Sequence, residues 1–389
     1  MRAGAPSQEE IRRQNLGALL RFVHERGQIS RAELTTELGL NRSTIGALTA
    51  DLTEAGLVTE ETPRETGRAG RPSLVVRAMS ESIYAYAVSI EVDQIRVARV
   101  GLGGVLLDQR SIPRPRGSFE GTVGPITTFI RDLPGRGRCV GAGVAVCGMV
   151  RRDDGLVRLA PNAGGTVDEP IGEMLSERLP ELLPQVAIAN VADLCALAEH
   201  TRGVAAGCDN VIYVYGDVGI GAGIIAGGRR VTGHGGYGGE VGHMVVNPNG
   251  KRCGCGSRGC WETEIGEHAL LQLASGEGFG QEAVLAVVDR ASRGDAVALS
   301  AVRQVGDWLG FGVANLVNIF NPELVIFGGT LRDVYLASAA QVRSKLNSIA
   351  LPATREHVRL RTPTLGSDAA LLGAAELAFQ QLLNDPLAQ

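Results

Sequence analysis

The residues with the most chemistry per position lie between Gly238 and Glu262. Gly238-Gly239-Glu240-Val241-Gly242-His243 is followed, ten residues after the histidine, by Cys253-Gly254-Cys255 and then by Cys260-Trp261-Glu262. Three cysteines in C-x-C-x4-C spacing with a nearby histidine supply the ligand set that closes a tetrahedral Cys3His shell around zinc. The alternative, ordinary buried thiols, needs apolar surroundings. Cys253, Cys255 and Cys260 instead sit among Gly, Arg, Ser and Lys, with no apolar periodicity. His243, Cys253, Cys255 and Cys260 are therefore the expected metal ligands, and zinc is the expected cofactor. Glu240 and Glu262 flank the ligands, so one metal staple would fix two carboxylates near the same point. Cys139, Cys147, Cys195 and Cys208 lie in apolar or small-residue contexts and read as core.

A second set of chemically competent residues lies near the amino terminus. Asn41 can cap a helix whose first turn offers Arg42, Ser43 and Thr44, and whose Ile45, Leu48 and Leu52 share one face. Further on, Arg64, Arg68 and Arg71 stand against a single acid, Glu65, in a Gly-containing segment that ends at Pro72. The elements that must hold these donors can be read in order. Ile11, Leu16, Leu19, Leu20, Phe22 and Val23 mark one helical face over residues 9–26. Ser30-Arg31-Ala32-Glu33 is a capping box, opening a short helix with Leu34 and Leu38 inward. Gly39-Leu40 makes the turn, and Gly56 ends the Asn41-capped helix at its C′ position. Leu57 to Glu60 then reads as a strand, with Leu74 to Val76 as its partner.

Helix, short helix, turn, helix and hairpin make a winged helix-turn-helix. Arg42, Ser43 and Thr44 suit phosphates and base edges, and the loop carrying Arg68 and Arg71 suits a minor groove. Gly46, in the middle of the recognition helix, costs about 1 kcal/mol relative to Ala. It either leaves room for close backbone approach or is simply tolerated.

Composition bounds the rest. The 389 residues allow two or three domains, 44% apolar residues supply a sizeable core, and 53 glycines favour α/β architecture with tight turns. A net charge of −4 means that DNA binding must come from a local patch. Seven cysteines, an odd number, argue against a complete disulfide framework. Met1 to Glu10 lack the apolar region of a secretory signal, and no uninterrupted apolar run of membrane-spanning length occurs. A reduced, cytoplasmic setting with no membrane association is expected.

From Ile83 onward the pattern becomes α/β. Tyr84 to Ile90, Ile95 to Val100 and Val105 to Leu107 read as three successive strands, followed by Val144 to Val146 and Val186 to Ile188 with helical segments between. A second set begins at Val211 to Val214 and Gly223 to Ile225, and Leu324 to Phe327 is a buried strand before Gly328-Gly329. Phe311 to Phe320 reads as a core helix.

The Gly-Glu-Val-Gly-His and cysteine block resembles the sugar-binding and zinc signature of the ROK family, whose members are repressors and sugar kinases. Arg12, Asn15, Ser30-Arg31, Gly39-Leu40 and the Gly-Arg-Pro ending at Pro72 look like the operator-binding domain of its repressors. Gly366-Ser367-Asp368-Ala369-Ala370-Leu371-Leu372-Gly373-Ala374-Ala375 matches its last helix. The resemblance implies an amino-terminal winged helix-turn-helix over residues 1–80, then a two-lobed actin-like ATPase fold. Its first lobe would take residues 81–200 plus 365–389, and its second lobe, with the zinc knuckle, residues 201–364.

The resemblance also sets the chemistry to be checked. A kinase of this family has a first phosphate loop, Asp-x-Gly-Gly-Thr, but the corresponding Glu91-Val92-Asp93-Gln94 has no glycine and two acids that repel a phosphate. The second loop, Gly216 to Gly223, keeps its glycines, with Val218 where the family has a hydroxyl. The family's Asn-Asp-x-Asn becomes Asn190-Val191-Ala192-Asp193, so the catalytic base position is Val191, which cannot accept a proton. Asp193 is read as a cap of the following helix. The sugar-binding set, by contrast, is kept as Asn162, Asn190, Glu240, His243 and Glu262, with Gly165-Thr166 replacing an aromatic often found after Pro-Asn.

These readings point to a non-enzymatic, sugar-responsive repressor that binds an operator and acts on carbohydrate-related genes as a homodimer or homotetramer. The competing readings are an active sugar kinase with an added DNA-binding domain, and a DNA-binding scaffold without a ligand.

Overall fold

A computed structural model describes residues 7–62, 73–115, 117, 119–133, 135–161 and 166–388. The amino-terminal unit comprises α1 (Gln8–Arg26), β1 (Gln28–Ser30), α2 (Arg31–Leu38), α3 (Arg42–Glu54), β2 (Val58–Glu61) and β3 (Val75–Ala78). The caps read from sequence are formed. Ser30 and Glu33 make the reciprocal capping box of α2, and the Asn41 side chain accepts the Thr44 amide at the start of α3. Gly56 follows the C-cap of α3 with φ at 70°. The hairpin is larger than expected. β3 pairs antiparallel with β2 on one side and with β1 on the other, so the sheet has three strands. β1 is only three residues long, too short to show alternation before the helix cap takes over.

Two five-stranded sheets follow. The first is built from β4 (Ile83–Ile90), β5 (Gln94–Gly101), β6 (Val105–Pro113), β7 (Arg138–Val146) and, after the small hairpin strands β8 (Met149–Val150), β9 (Val157–Ala160) and β10 (Thr166–Glu169), β11 (Val186–Asn190). Helices α4 (Glu120–Asp132) and α5 (Ile171–Arg178) lie along this stretch, and α6 (Val191–Arg202) leaves its last strand. The second sheet uses β12 (Val211–Gly216), β13 (Ile220–Ala226), β14 (Arg229–Arg230), β15 (Leu324–Gly329) and β16 (Arg359–Arg361). Its helices are α7 (Glu262–Ile265), α8 (Glu267–Leu273), α9 (Gly280–Ser292), α10 (Ala296–Phe320), α11 (Leu331–Ile349) and α12 (Pro352–Arg355). The chain closes with α13 (Ala369–Asn384).

The strand orders β6-β5-β4-β7-β11 and β14-β13-β12-β15-β16 are the same arrangement. In each, three antiparallel strands run as a meander, and the first of them pairs in parallel with a fourth, which pairs in parallel with a fifth. α6 and α13 pack against each other between the two sheets. A Cβ on Gly373 of α13 would stand 1.9 Å from the Leu194 carbonyl oxygen of α6, so the helix backbones nearly touch. One hydrophobic cluster joins α1 (Leu19, Leu20, Val23) to α6 and α13 (Ala196, Phe379, Leu382), which seats the amino-terminal unit on the first lobe. Among the described residues no helix is long and apolar enough to cross a membrane.

The helix read as core over 311–320 is buried only in part. Val313, Ala314, Leu316 and Val317 are buried, but the last turn of α10 presents Ile319 and Phe320 to solvent.

Candidate functional site

A cavity of about 490 Å³ opens between the two lobes. From the first lobe it is lined by Val92, Cys147, Met149, Leu159, Asn190 and Val191. From the second it is lined by Tyr215, Asp217, Val218, Glu240, His243, Cys255 and Glu262. Residues from remote stretches of sequence meet because both sheets present the ends of their strands to the same cleft. Asn190 is the last residue of β11 and the N-cap of α6; its Oδ1 accepts the Ala192 amide at 2.7 Å and its Nδ2 donates to the Gly148 carbonyl at 2.9 Å. The helix cap is thus Asn190 and not Asp193, as the sequence reading had it, because an N-cap side chain must precede the first turn. Asp193 is buried inside that turn and does not line the cavity. Burial raises its carboxyl to about 7, with Arg230 opposing and Glu240 adding to the shift.

Glu240 and His243 sit on a tight loop stitched to β13. The Ala222 amide donates to the Gly239 carbonyl at 3.1 Å, and a Cβ on Gly242 would lie 2.1 Å from the Ile220 carbonyl oxygen. Glu262 opens α7 and accepts the Ile220 amide at 3.0 Å. Its neighbour Trp261 is wholly buried, and the Trp261 Nε1 donates to the Trp308 carbonyl of α10 at 2.9 Å. That anchor fixes where Glu262 emerges. Burial raises the Glu240 carboxyl; His243 opposes the shift and Glu262 adds to it.

The four expected metal ligands converge behind these acids. One ligand atom from each of His243, Cys253, Cys255 and Cys260 lies within 4.8 Å of all the others. The His243 Nδ1 is 3.7 Å from the Cys253 Sγ, and the Cys255 and Cys260 sulfurs are 3.7 Å apart. A tetrahedron with metal–sulfur bonds of ~2.3 Å has edges of roughly 3.8 Å, so the donor set is spaced to hold a metal ion. His243 and Cys255 also line the cavity, so the knuckle and the cavity share two residues.

At the other acidic group, Asp217 of the β12–β13 turn lies near the Glu91-Val92-Asp93 turn between β4 and β5. Burial, and then the charges of Glu91, Glu267 and Asp93, push the Asp217 carboxyl up to about 6. Burial raises Glu91 as well. Among the described lining residues there is no Lys or Arg, and residues 162–165 add no charged side chain. Asn162 lies outside the described residues. Of the four cysteines read as core, Cys195 and Cys208 are buried, whereas Cys139 and Cys147 are half-buried and Cys147 faces the cavity.

On the amino-terminal unit, Arg42 and Ser43 are exposed and Thr44 is half-buried at the start of α3. The Ser43 and Thr44 hydroxyls donate to the Asn41 Oδ1 at 2.7 and 3.0 Å. Their protons are committed to the cap, which leaves them as acceptors and leaves Arg42 as the charged donor of that turn. Arg12 pairs with Asp51, tying α1 to α3. Arg64, Arg68 and Arg71 lie outside the described residues. Among the described residues a Cβ on Gly46 would meet only the Arg31 guanidinium, at 3.5 Å, so packing against those residues does not require a glycine there.

The ROK family profile matches residues 85–381, and the MarR family profile matches residues 17–69. The chain belongs to the ROK family. Among its ROK relatives, the xylose repressor of Bacillus spizizenii is 29% identical over 380 residues, spanning 96% of this chain and 97% of that protein. A glucokinase of Halalkalibacterium halodurans is 31% identical over 329 residues, covering 78% of this chain and 97% of its own. The crystal structure of a ROK family transcriptional regulator, described as a homolog of the Escherichia coli MLC protein, superposes with a TM-score of 0.79 at 26% identity. It covers 97% of this chain and 98% of that chain. The repressor and the regulator match nearly the whole length, including the winged-helix unit; the glucokinase matches about three quarters of the chain.

Proposed function

We propose that this ROK protein is a sugar-responsive DNA-binding repressor of carbohydrate-related genes that does not phosphorylate its sugar. The observation that carries the reading is the cavity itself. Its hydroxyl-binding side, with Asn190, Glu240, His243 and Glu262, is assembled and braced, whereas the position for a catalytic base is Val191, on the cavity wall. A carboxylate or amide takes the paired hydroxyls of a sugar by bidentate hydrogen bonds, but valine accepts no proton. The full-length match to a xylose repressor supports the regulatory reading over the kinase one.

Three finer assignments go with it. The knuckle ion is zinc, which suits three thiolates and one imidazole; it fixes the ring of His243 and the direction of Glu262 and stays out of any reaction. The effector is an unphosphorylated sugar without an acidic group, because Asp217, Glu240 and Glu262 line a cavity with no described cationic side chain. Asn162, one residue after the lining Pro161, completes the sugar set.

DNA contact falls to Arg42 with Ser43 and Thr44 in the major groove and to the loop carrying Arg68 and Arg71. The domains divide as 1–80, 81–200 plus 365–389, and 201–364, a division supported by the duplicated strand order. The protein acts in the cytoplasm as a homodimer or homotetramer. The apolar patch of Ile319, Phe320 and Leu351, where the Leu351 amide donates to Asn318 at 2.9 Å, is where a second copy would cover exposed surface.

Anisotropy with a promoter duplex and a panel of D-xylose, D-glucose and D-glucose 6-phosphate tests this reading. The neutral sugars should shift operator affinity and the phosphate should not. Arg42→Ala should weaken binding and, if it contacts phosphate, lower the salt slope by about 1. Sugar-independent DNA binding, or turnover of ATP with a bound sugar, would contradict it.

A further inference from the structure

α6 touches both of the regions that the proposed function must couple. Its first residues, capped by Asn190, form part of the cavity wall, and its last residue is Arg202. Twelve helical residues span roughly 18 Å. The helix has no slack along that length. A Cβ on Gly223 of β13 would stand 2.3 Å from the Ala192 carbonyl oxygen on one side, and α13 closes the other side at Gly373. A displacement of the cavity wall therefore moves α6 as a body.

At its far end α6 meets the DNA-binding unit through a buried polar joint. The Arg202 Nε donates to the Glu376 Oε1 of α13 at 3.0 Å, and its Nη2 reaches the same oxygen. Its Nη1 donates to the Gly103 carbonyl at 3.0 Å and to the His24 carbonyl of α1 at 3.3 Å. His24 has no exposed surface; its Nδ1 accepts the Gly103 amide at 2.9 Å, and its Nε2 lies 2.9 Å from the Glu376 Oε2. Three helices from the two ends of the chain and its middle thus share one carboxylate. Burial would raise that carboxyl, but His24 and Arg202 outweigh burial and hold it well below the usual range. A Cβ on Gly104 would fall 2.3 Å from the Arg202 guanidinium, so the β5–β6 turn is shaped around this side chain. α1 in turn carries α3 through the Arg12–Asp51 pair.

We propose that α6 is the strut by which a sugar in the cavity moves the recognition helix, and that Arg202, Glu376 and His24 form its joint to the DNA-binding unit. Arg202 and Glu376 are positioning residues: neither touches sugar or DNA. The proposal rests on the sugar-responsive reading above.

The test uses the full chain. Operator affinity is measured with and without D-xylose or D-glucose, whichever binds, for the wild type and for Arg202→Met/Glu376→Leu, which removes both charges and leaves apolar groups of similar size. A second variant, Gly104→Ala, crowds the joint and keeps its charges. Sugar affinity and sugar-free operator affinity should stay within about twofold of wild type, while the sugar-induced change in operator affinity, roughly 5- to 150-fold for an allosteric pair, falls to about 1. A merely structural role would lower the melting temperature and leave that ratio unchanged. Folded variants that keep the wild-type ratio overturn the strut. A wild type that binds operator but ignores every sugar overturns the parent reading, and the strut with it.

Discussion

The two acidic turns at the mouth of the cavity occupy equivalent places in a duplicated sheet, yet neither resembles the cavity side built on the knuckle. Glu91-Val92-Asp93 joins the first two strands of one lobe, and Asp217-Val218-Gly219 joins the first two strands of the other. A phosphate would need backbone amides unshielded by side chains and no nearby anion. Here burial, and then the neighbouring charges of Glu91, Glu267 and Asp93, raise Asp217 to about 6. On the knuckle side, by contrast, Glu240 and Glu262 are held by a stitched loop, a buried Trp261 and the clustered side chains of His243, Cys253, Cys255 and Cys260. The same fold therefore sets a braced pair of carboxylates beside a turn crowded with acids, and in the proposed function the first binds sugar hydroxyls while the second disfavours a phosphate. In the proposed function, that difference is what separates binding a sugar from acting on it.

The largest effect is expected at the cysteine cluster. Cys255→Ser should release about one zinc per chain by elemental analysis, and should weaken sugar binding, since His243 and Cys255 both line the cavity and Glu262 lies two residues from Cys260. Metal-free protein with normal sugar affinity would detach the knuckle from the cavity. Next comes the phosphate side. A coupled assay with ATP and a bound sugar should stay at background for wild type and also for Val191→Asp, because a general base, itself worth about 10²–10⁴-fold, cannot act without a phosphate site. Turnover by either protein would show that the acidic turns tolerate a nucleotide.

A smaller effect follows from the raised Asp217. Its folded carboxyl titrates near 6 against an ordinary 3.8, so the folded chain holds the extra proton between those values and stability falls as pH rises through that window. Asp217→Asn should melt higher than wild type at pH 8, with the gain vanishing toward pH 4. A gain that does not depend on pH would remove the charge argument. Smallest is Gly46→Ala, which should stabilise α3 by about 1 kcal/mol with no clash among the described residues. If operator affinity falls at the same time, the groove is what needs the glycine.

Features set by local chemistry were legible in the sequence. The Ser30 and Asn41 caps, the C′ glycine at 56 and the C-x-C-x4-C knuckle are each written within a few residues, and each formed. What was missed depends on distance in the chain. β1 joins the wing sheet only because residues 28–30 meet residues 75–77. The Asn190 cap was misassigned to Asp193 because the boundary between β11 and α6 falls between residues 190 and 191. His24, Arg202 and Glu376 carry no motif; only the packing of α1, α6 and α13 brings them together.

The most direct test of the account is an operator titration in the presence of a neutral sugar that binds, comparing wild type with Glu240→Ala. The account predicts that both proteins bind the sugar-free operator alike, that sugar shifts the wild-type curve, most simply toward release, and that the Glu240→Ala curve does not move at the same sugar concentrations. An undiminished sugar response in Glu240→Ala would place the effector site elsewhere and contradict the account.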